Sequence, residues 1–347
     1  MKKRVNIKDV AREADVSAAT ISYVLNQNQH ESISAETKDR IWEAVKKLNY
    51  VPNLNARSLI SRRSNLLGVL IPQTEPGKEF MFSNPFYGEF LSSVEFTARQ
   101  SGYHLLISGM NADQGYVSIA RNRGLDGIII LGTFPSQHIN ELKDLEIPVV
   151  LVDSYIKDYA FHDIGINDRY GGYIATKYLI EKGHREIALI CGAIQKDGVS
   201  EKRFLGYRDA LDEADIAYDK KMLYEGNVDY HYGLEAAALL VKRGKLQTAA
   251  FVTADIMALG FIKGLKLNKL SVPGDVSVIG FDDIYLARLS DPALTTVKQD
   301  IYEKGRAAAQ IVIDGAESSR HSKRDIIIPI EICERDSVSE RIGVTNK

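Results

Sequence analysis

The 347-residue sequence predicts an all-α helix-turn-helix head followed by an α/β core of doubly wound parallel sheets. Three observations carry this reading. The first fifty residues show helical apolar periodicity three times over. From Leu66 onward, short and almost continuous apolar runs alternate with amphipathic segments. The chain is also too long for one compact core.

In the head, Ile7, Val10, Ala11 and Ala14 recur at i, i+3, i+4 and i+7, with Asn6 placed as N-cap. Asp15 and Val16 leave room only for a tight turn before Ser17, a second N-cap. The helix in "VSAATISYVLN" (16–26) buries Ile21, Val24 and Leu25 and turns Ser17, Ala18, Ala19, Thr20, Ser22 and Tyr23 the other way. A merely solvated face would carry Lys and Glu; small hydroxyls and methyls suit close approach to another surface. Ser34 caps a third helix with Ile41, Ala44, Val45 and Leu48 inward and Asn49 at its C′ position. Two short helices crossed by a third make a helix-turn-helix unit, whose second helix enters the major groove. A plain three-helix bundle is the alternative left by spacing alone.

The segment "YVPNLNARSLISRRSN" (50–65) has room for two helical turns after Pro52, too few for a stable isolated helix. Ala56 and Leu59 share a face amid Arg57, Arg62 and Arg63, which suits a wedge into a minor-groove base step. An ordinary basic linker is the other reading. Residues 1–63 hold 12 Lys/Arg against 7 Asp/Glu, a net of +5 that leaves −7 for the remainder. A basic head on an acidic body fits a polyanion-binding module joined to something else.

In the core, strands are expected at "LLGVLIP", "HLLIS", "DGIIIL", "PVVLVD", "EIALIC", "TAAFVT" and "VSVIGF", with amphipathic helices near 87–99, 170–182, 201–213 and 257–267. So many elements imply two sheets, with ligands near the C-terminal strand ends. Asp153 and Asp282 stand at such ends and Arg203 opens a helix in "SEKRFLGYRDAL"; a forked guanidinium and paired carboxylates suit the vicinal hydroxyls of a sugar. Nucleotide, hydrolase and zinc-protease motifs are missing, and the seven histidines lack metal-ligand spacing. Neither a metal nor a cofactor is expected, and His184 reads as structural. Cys191 and Cys333 read as buried reduced thiols. The basic N-terminus leads into polar residues instead of an apolar stretch, and the apolar runs are strand-length, so a cytosolic chain with no membrane partner is expected.

"NIKDVAREADVSAATISYVLN" with "ISAETKDRIWEAVKKLNYVPNLNARSL" resembles the DNA-binding head of the lactose-repressor (LacI/GalR) family over about sixty residues. The resemblance implies that Ala18, Ala19 and Tyr23 face bases and that Leu59, beside Ala56, pries open a central step. It gives Asn6, Ser17, Thr20, Ser22, Asn26, Ser34 and Asn53 to the DNA-contacting set. Asp15 and Asn49 replace family glycines. Tyr23 stands where Arg is usual, so the usual operator is not implied.

The core is similar too, through "NPFYGEFLSSVEF", "YGGYIATKYLIEKGHREIALICG", "RFLGYRDAL" and "VPGDVSVIGFDD". This implies a two-lobed fold like that of periplasmic sugar-binding proteins, with an effector cleft lined by Phe86, Tyr87, Asp153, Arg203, Ala254, Asp255 and Asp282. The expected organisation is a head at 1–51, a hinge helix and linker at 52–64, and a core at 65–340. Its lobes are expected at about 65–165 plus 295–325, and 166–294 plus 326–340. Val228 replaces a stacking aromatic of the family, and Ala254 a frequent Asn. With no leucine heptads in the tail, a homodimer on a palindromic operator is expected. The function implied is a transcriptional repressor under control of a small effector, a sugar or sugar derivative. Control by a phosphorylated carrier protein, as in the related catabolite control protein, is the alternative; a solute-binding protein without a DNA role is a remote one.

Overall fold

The computed structural model of the protein describes residues 5–25, 33–51, 63–72, 81–110, 116–132, 139–156, 160–244, 247–318 and 323–341. The chain divides into two compact units, 1–64 and 65–347. Asn26, Asn53, Ala56 and Leu59, and with them the expected hinge helix, lie outside the described residues.

The head contains α1 (Ile7–Glu13), α2 (Ala18–Leu25) and α3 (Ala35–Lys47). Their apolar stripes meet in a small core of Val10, Ala11, Ala14, Ile21, Val24, Ile41 and Ala44, with Leu25, Val45 and Leu48 at its margin. The turn between α1 and α2 depends on Asp15 at φ +53°, and Asn49 ends α3 at φ +49°. Both are the left-handed positions where the family has glycine, and short polar side chains tolerate them best.

The second unit is built on two six-stranded sheets. The first contains β1 (Leu66–Pro72), β2 (His104–Met110), β3 (Gly127–Leu131), β4 (Val149–Val152), β5 (His162–Gly165) and β11 (Asp325–Ile327), in the order β11-β5-β4-β3-β1-β2 and all parallel. Connecting its strands are α4 (Pro85–Gln100), α5 (Tyr116–Arg123) and α6 (Ile139–Lys143). The second sheet contains β6 (Ile187–Gly192), β7 (Leu223–Gly226), β8 (Ala249–Val252), β9 (Ser277–Asp282), β10 (Thr295–Gln299) and β12 (Ile330–Cys333), in the order β12-β10-β9-β8-β6-β7. Only its edge strand β12 is antiparallel. Around this sheet run α7 (Asp168–Glu181), α8 (Val199–Glu213), α9 (Tyr230–Lys242) and α10 (Asp255–Leu267). The last helix, α11 (Ile301–Glu317), returns to pack on α4 and β3 of the first lobe.

The chain thus crosses between lobes three times, after β5, after β10 and after β11. This corrects the expected lobe limits at two points. β10 was expected in the first lobe but pairs with β9 and β12, and Ile326 and Ile327 pair with β5 in the first. The physical reason lies in β10 itself: four of its five residues are buried, as a central strand requires, and Asp300 caps α11 directly afterwards.

Cys191 is buried, and its apolar surroundings push the thiol up to about 12. Cys333 is only half-buried, because β12 is an edge strand with one face partly open. His184 is structural: its ring bonds Thr248 Oγ1 at 3.0 Å and the Ser339 carbonyl at 3.1 Å. Among the described residues no helix is long and apolar enough to cross a membrane.

Candidate effector cleft and DNA-reading helix

In the head, three of the sequence-selected residues act first as helix caps. Asn6 Oδ1 accepts from the Lys8 and Asp9 amides at 2.9 and 3.2 Å, and Asp9 Oδ2 accepts from the Asn6 amide at 3.0 Å, closing a capping box. Ser17 Oγ accepts from the Thr20 amide at 3.1 Å and lies 2.8 Å from its hydroxyl. Ser34 does the same for Thr37 at 3.2 and 2.9 Å. The free end of α2 thereby presents backbone N–H groups flanked by two hydroxyls, a geometry that accepts a phosphate. Ala19 and Tyr23 are exposed one turn apart on the same face of α2, while Ala18, Thr20 and Ser22 are half-buried beside them. The buried face of α2 is held by Ile21 and Val24.

In the second unit a cavity of about 190 Å³ lies between the lobes, at the C-terminal ends of the parallel strands. Phe86, Tyr87 and Asp153 come from the first lobe; Arg203, Ala254 and Asp282 come from the second. Asn84 fixes the first pair: it caps α4 through a 3.0 Å bond to the Phe86 amide, ahead of Pro85, and sets the two rings edge to face at 5.8 Å. Asp255 does not join the lining. It is fully buried and turned the other way, accepting from Thr296 Oγ1 at 2.6 Å and the Ile284 amide at 3.0 Å, so it braces β10 and the loop after β9.

Arg203 is held from three sides. Its Nε donates to Asp168 Oδ1 at 2.7 Å, its Nη1 donates to the Thr253 carbonyl at 2.5 Å, and the guanidinium lies 3.5 Å over the Phe281 ring. Asp282 Oδ1 lies 3.8 Å from Nη1 and accepts from Gln299 Nε2 at 2.6 Å. Gln299 Oε1 accepts in turn from Lys304 Nζ at 2.5 Å, and the same ammonium donates to Asp153 Oδ1 at 2.6 Å. Tyr155 donates its hydroxyl to Asp168.

Burial raises the Asp282 carboxyl to about 7 against the opposing pull of Arg203 and Gln299. Asp153 is raised by burial too, with Lys304 opposing. Burial works against the Arg203 cation, but Asp168 and Asp282 outweigh it and keep it above the ordinary value. Asp153 and Asp282 also hold positive φ values, +52° and +117°. Backbone strain of this kind, on one carboxylate from each lobe, collects at binding sites.

Asp168, Gln299, Lys304 and Tyr155 are absent from the sequence reading of the site. Lys304 alone left a signal there: it sits on the buried stripe of α11 with Ile301, Ala308 and Val312, a lysine on an apolar face. Val228 lines the cavity, at the position where the family has its stacking aromatic.

A profile described as "Bacterial regulatory proteins, lacI family" matches residues 6–53, and one described as "Periplasmic binding protein-like domain" matches residues 176–338. The HTH-type transcriptional repressor PurR of Vibrio atlanticus (strain LGP32) is 34% identical over 338 residues, covering 96% of this chain and 98% of the relative. PurR of Edwardsiella ictaluri (strain 93-146) is 33% identical, covering 96% and 97%. Among solved structures, the lac repressor dimer bound to operator and the anti-inducer ONPF is similar with a TM-score of 0.83 and 25% identity, covering 97% of this chain and all of that one. A transcriptional regulator CelR–cellobiose complex gives 0.68 and 26%, covering 96% and 100%. These relatives are transcription regulators, not enzymes. With near full-length coverage at a third identity, the chain belongs to the lacI family of bacterial regulatory proteins, with a DNA-binding helix-turn-helix head and a periplasmic-binding-protein-like core.

Proposed function

We propose that the protein is a transcriptional repressor whose operator affinity is set by a small, uncharged, purine-type effector in the interlobe cleft. The observation that carries the choice of ligand is the charge balance of that cleft. The cation that lines it and the one behind it are already neutralised within hydrogen-bond distance, Arg203 by Asp168 and Lys304 by Asp153. No cation of this pair is left over for a phosphate, while the carboxylates of Asp153 and Asp282 suit N–H or O–H donors. An engineered cavity of about 150 Å³ holds benzene, so the cleft has room for one or two fused rings. The near full-length PurR relatives favour a purine base over the sugar that the strand-end residues suggest. They lend no support to a phosphorylated carrier protein as co-regulator.

The test is a thermal-shift screen of free purine bases, nucleotides, monosaccharides, disaccharides and sugar phosphates. A purine base at 100 times its Kd is expected to add about 2.7 kcal/mol and raise Tm by several degrees. A response to monosaccharides alone would overturn the purine assignment while leaving the repressor reading intact.

For the DNA side we propose that Ala18, Ala19 and Tyr23 read bases and that Ser17, Thr20, Ser22 and Ser34 hold phosphates. Tyr23 in place of Arg offers one hydroxyl and a ring edge, which disfavours bidentate guanine reading. Asn26, Asn53, Ala56 and Leu59 complete the proposed contacts on family resemblance alone. A homodimer is supported by exposed apolar side chains on both lobes of the core, among them Phe96 and Ile107 on the first and Tyr285 and Leu289 on the second.

A further inference from the structure

The polar groups at the cleft form an almost closed circuit. From Tyr155 it runs through Asp168, Arg203, Asp282, Gln299 and Lys304 to Asp153, two residues from its start. Tyr155, Lys304 and Asp153 belong to the first lobe and the other four to the second. The circuit therefore passes between lobes at two bonds, Tyr155 to Asp168 and Lys304 to Gln299.

Both bonds sit at chain crossovers. Asp168 is the first residue of α7, just after the crossover that follows β5, and Gln299 is the last of β10, just before the next. Each bond therefore ties the lobes together immediately beside one of the three chain crossings. Neither Tyr155 nor Lys304 lines the cavity; each touches a residue that does so or that holds one, Arg203 through Asp168 and Asp282 through Gln299.

Packing alone does not account for Lys304. Its side chain is entirely buried on an apolar helix stripe. Burying an ammonium costs several kcal/mol, and well-packed apolar residues of similar volume commonly serve as well or better for stability. What the lysine adds is direction: it ties the amide of Gln299 so that the opposite end of that amide faces Asp282.

We propose that Tyr155 and Lys304 are positioning residues that latch the two lobes, and that the latch sets how strongly a molecule in the cleft moves one lobe against the other. This rests on the cleft being the effector site. In the latched state Arg203 and Asp282 are fixed for the ligand; when the latch is lost the ligand still meets its contacts, but the lobes no longer respond as one body.

The experiment uses full-length Tyr155→Phe and Lys304→Met. Operator affinity is measured with and without adenine or hypoxanthine, on a duplex recovered by selection from random sequence. In both variants the ratio of the two affinities is expected to fall at least fivefold towards unity, with the probe still bound. A ratio equal to that of wild type overturns the latch. Hydrogen exchange on the ligand-free proteins gives a second readout. Faster exchange confined to residues 165–168 and 299–301 supports the proposal; no change, or uniform acceleration across both sheets, overturns it. Should Lys304→Met not fold, Tyr155→Phe, which removes one hydroxyl, decides alone. Should neither purine bind wild type, the effector assignment fails and the exchange pattern still decides the latch.

Discussion

Asp282 joins the cleft's chemistry to its cost. Its carboxyl, held near pH 7 by burial, takes up a proton more readily in the folded than in the unfolded chain. The stability that comes from this uptake is complete below the ordinary carboxylate value of about 3.9 and is lost as pH rises through about 7. Asp153 and Asp255 are raised too and act in the same direction; His184, lowered by burial, acts in the opposite one. Asp282→Asn is therefore expected to shrink the fall in Tm between pH 5.5 and 8 relative to wild type, read by calorimetry at both values. A ligand that donates to this carboxylate favours its ionised form, so wild-type affinity should rise over the same interval. Arg203→Ala leaves Asp168 and Asp282 buried without their cation, at a cost of about 3–5 kcal/mol in urea unfolding. It should abolish the ligand response while operator affinity, measured below the melting range, stays near that of wild type.

The single-residue picture was partly legible in the sequence. Asp153 and Asp282 stood out because a charge at the end of an apolar strand breaks the run, and Arg203 because it opens a helix. Asp168, Gln299 and Tyr155 did not, since a neutral or capping polar residue at a helix start, at the end of a polar strand or in a loop is common and only the fold brings these three together. Asp255 was misplaced for a related reason: its neighbour Ala254 lines the cavity, but the first turn of α10 rotates the next side chain to the opposite side.

Among the elements, α7 and α8 fit together through glycine. A Cβ on Gly172 would stand 2.1 Å from the Arg203 carbonyl, and one on Gly206 would stand 1.8 Å from that of Arg169. The two backbones meet where Arg203 is anchored, so the helix crossing sets the guanidinium's height in the cleft. Gly172→Ala is expected to cost about 1–3 kcal/mol by overpacking and to weaken ligand binding at least tenfold in titration calorimetry. In the head, Asn6→Ala removes the side-chain half of the capping box, leaving Asp9 to accept from the residue-6 amide, and should cost about 1 kcal/mol. Nuclear magnetic resonance or circular dichroism of the head's transition would show this without a change in ligand affinity.

Element type was readable wherever the apolar pattern was strong, as in α1 to α3 and the seven continuously apolar strands. Strands β5, β7 and β11 are as short as β4 and β8 or shorter, but their mixed polarity leaves no apolar run to mark them. β10 shows the other failure. Its Thr- and Lys-containing run is not among the expected strands, yet it is buried between β9 and the edge strand β12.

For the whole molecule, the proposed homodimer is tested through the exposed apolar side chains of the core. Phe96 is 57% and Leu289 60% exposed, one on each lobe. Phe96→Glu combined with Leu289→Glu is expected to shift sedimentation from dimer to monomer and to lower operator affinity by at least tenfold, with Tm of the core little changed. A dimeric double variant would place the two-fold interface elsewhere.

The order of strands has a further consequence during synthesis. Each sheet is completed by a strand from the last few dozen residues, β11 in the first and β12 in the second, and α11 covers the first only after residue 300. The head has all three of its helices by residue 47. At translation rates of roughly 5–20 residues per second, a finished head waits on the ribosome for about 15–60 s before either lobe can close. A ribosome that stalls before β11 therefore carries a head with all three helices on a core whose two sheets each lack an edge strand.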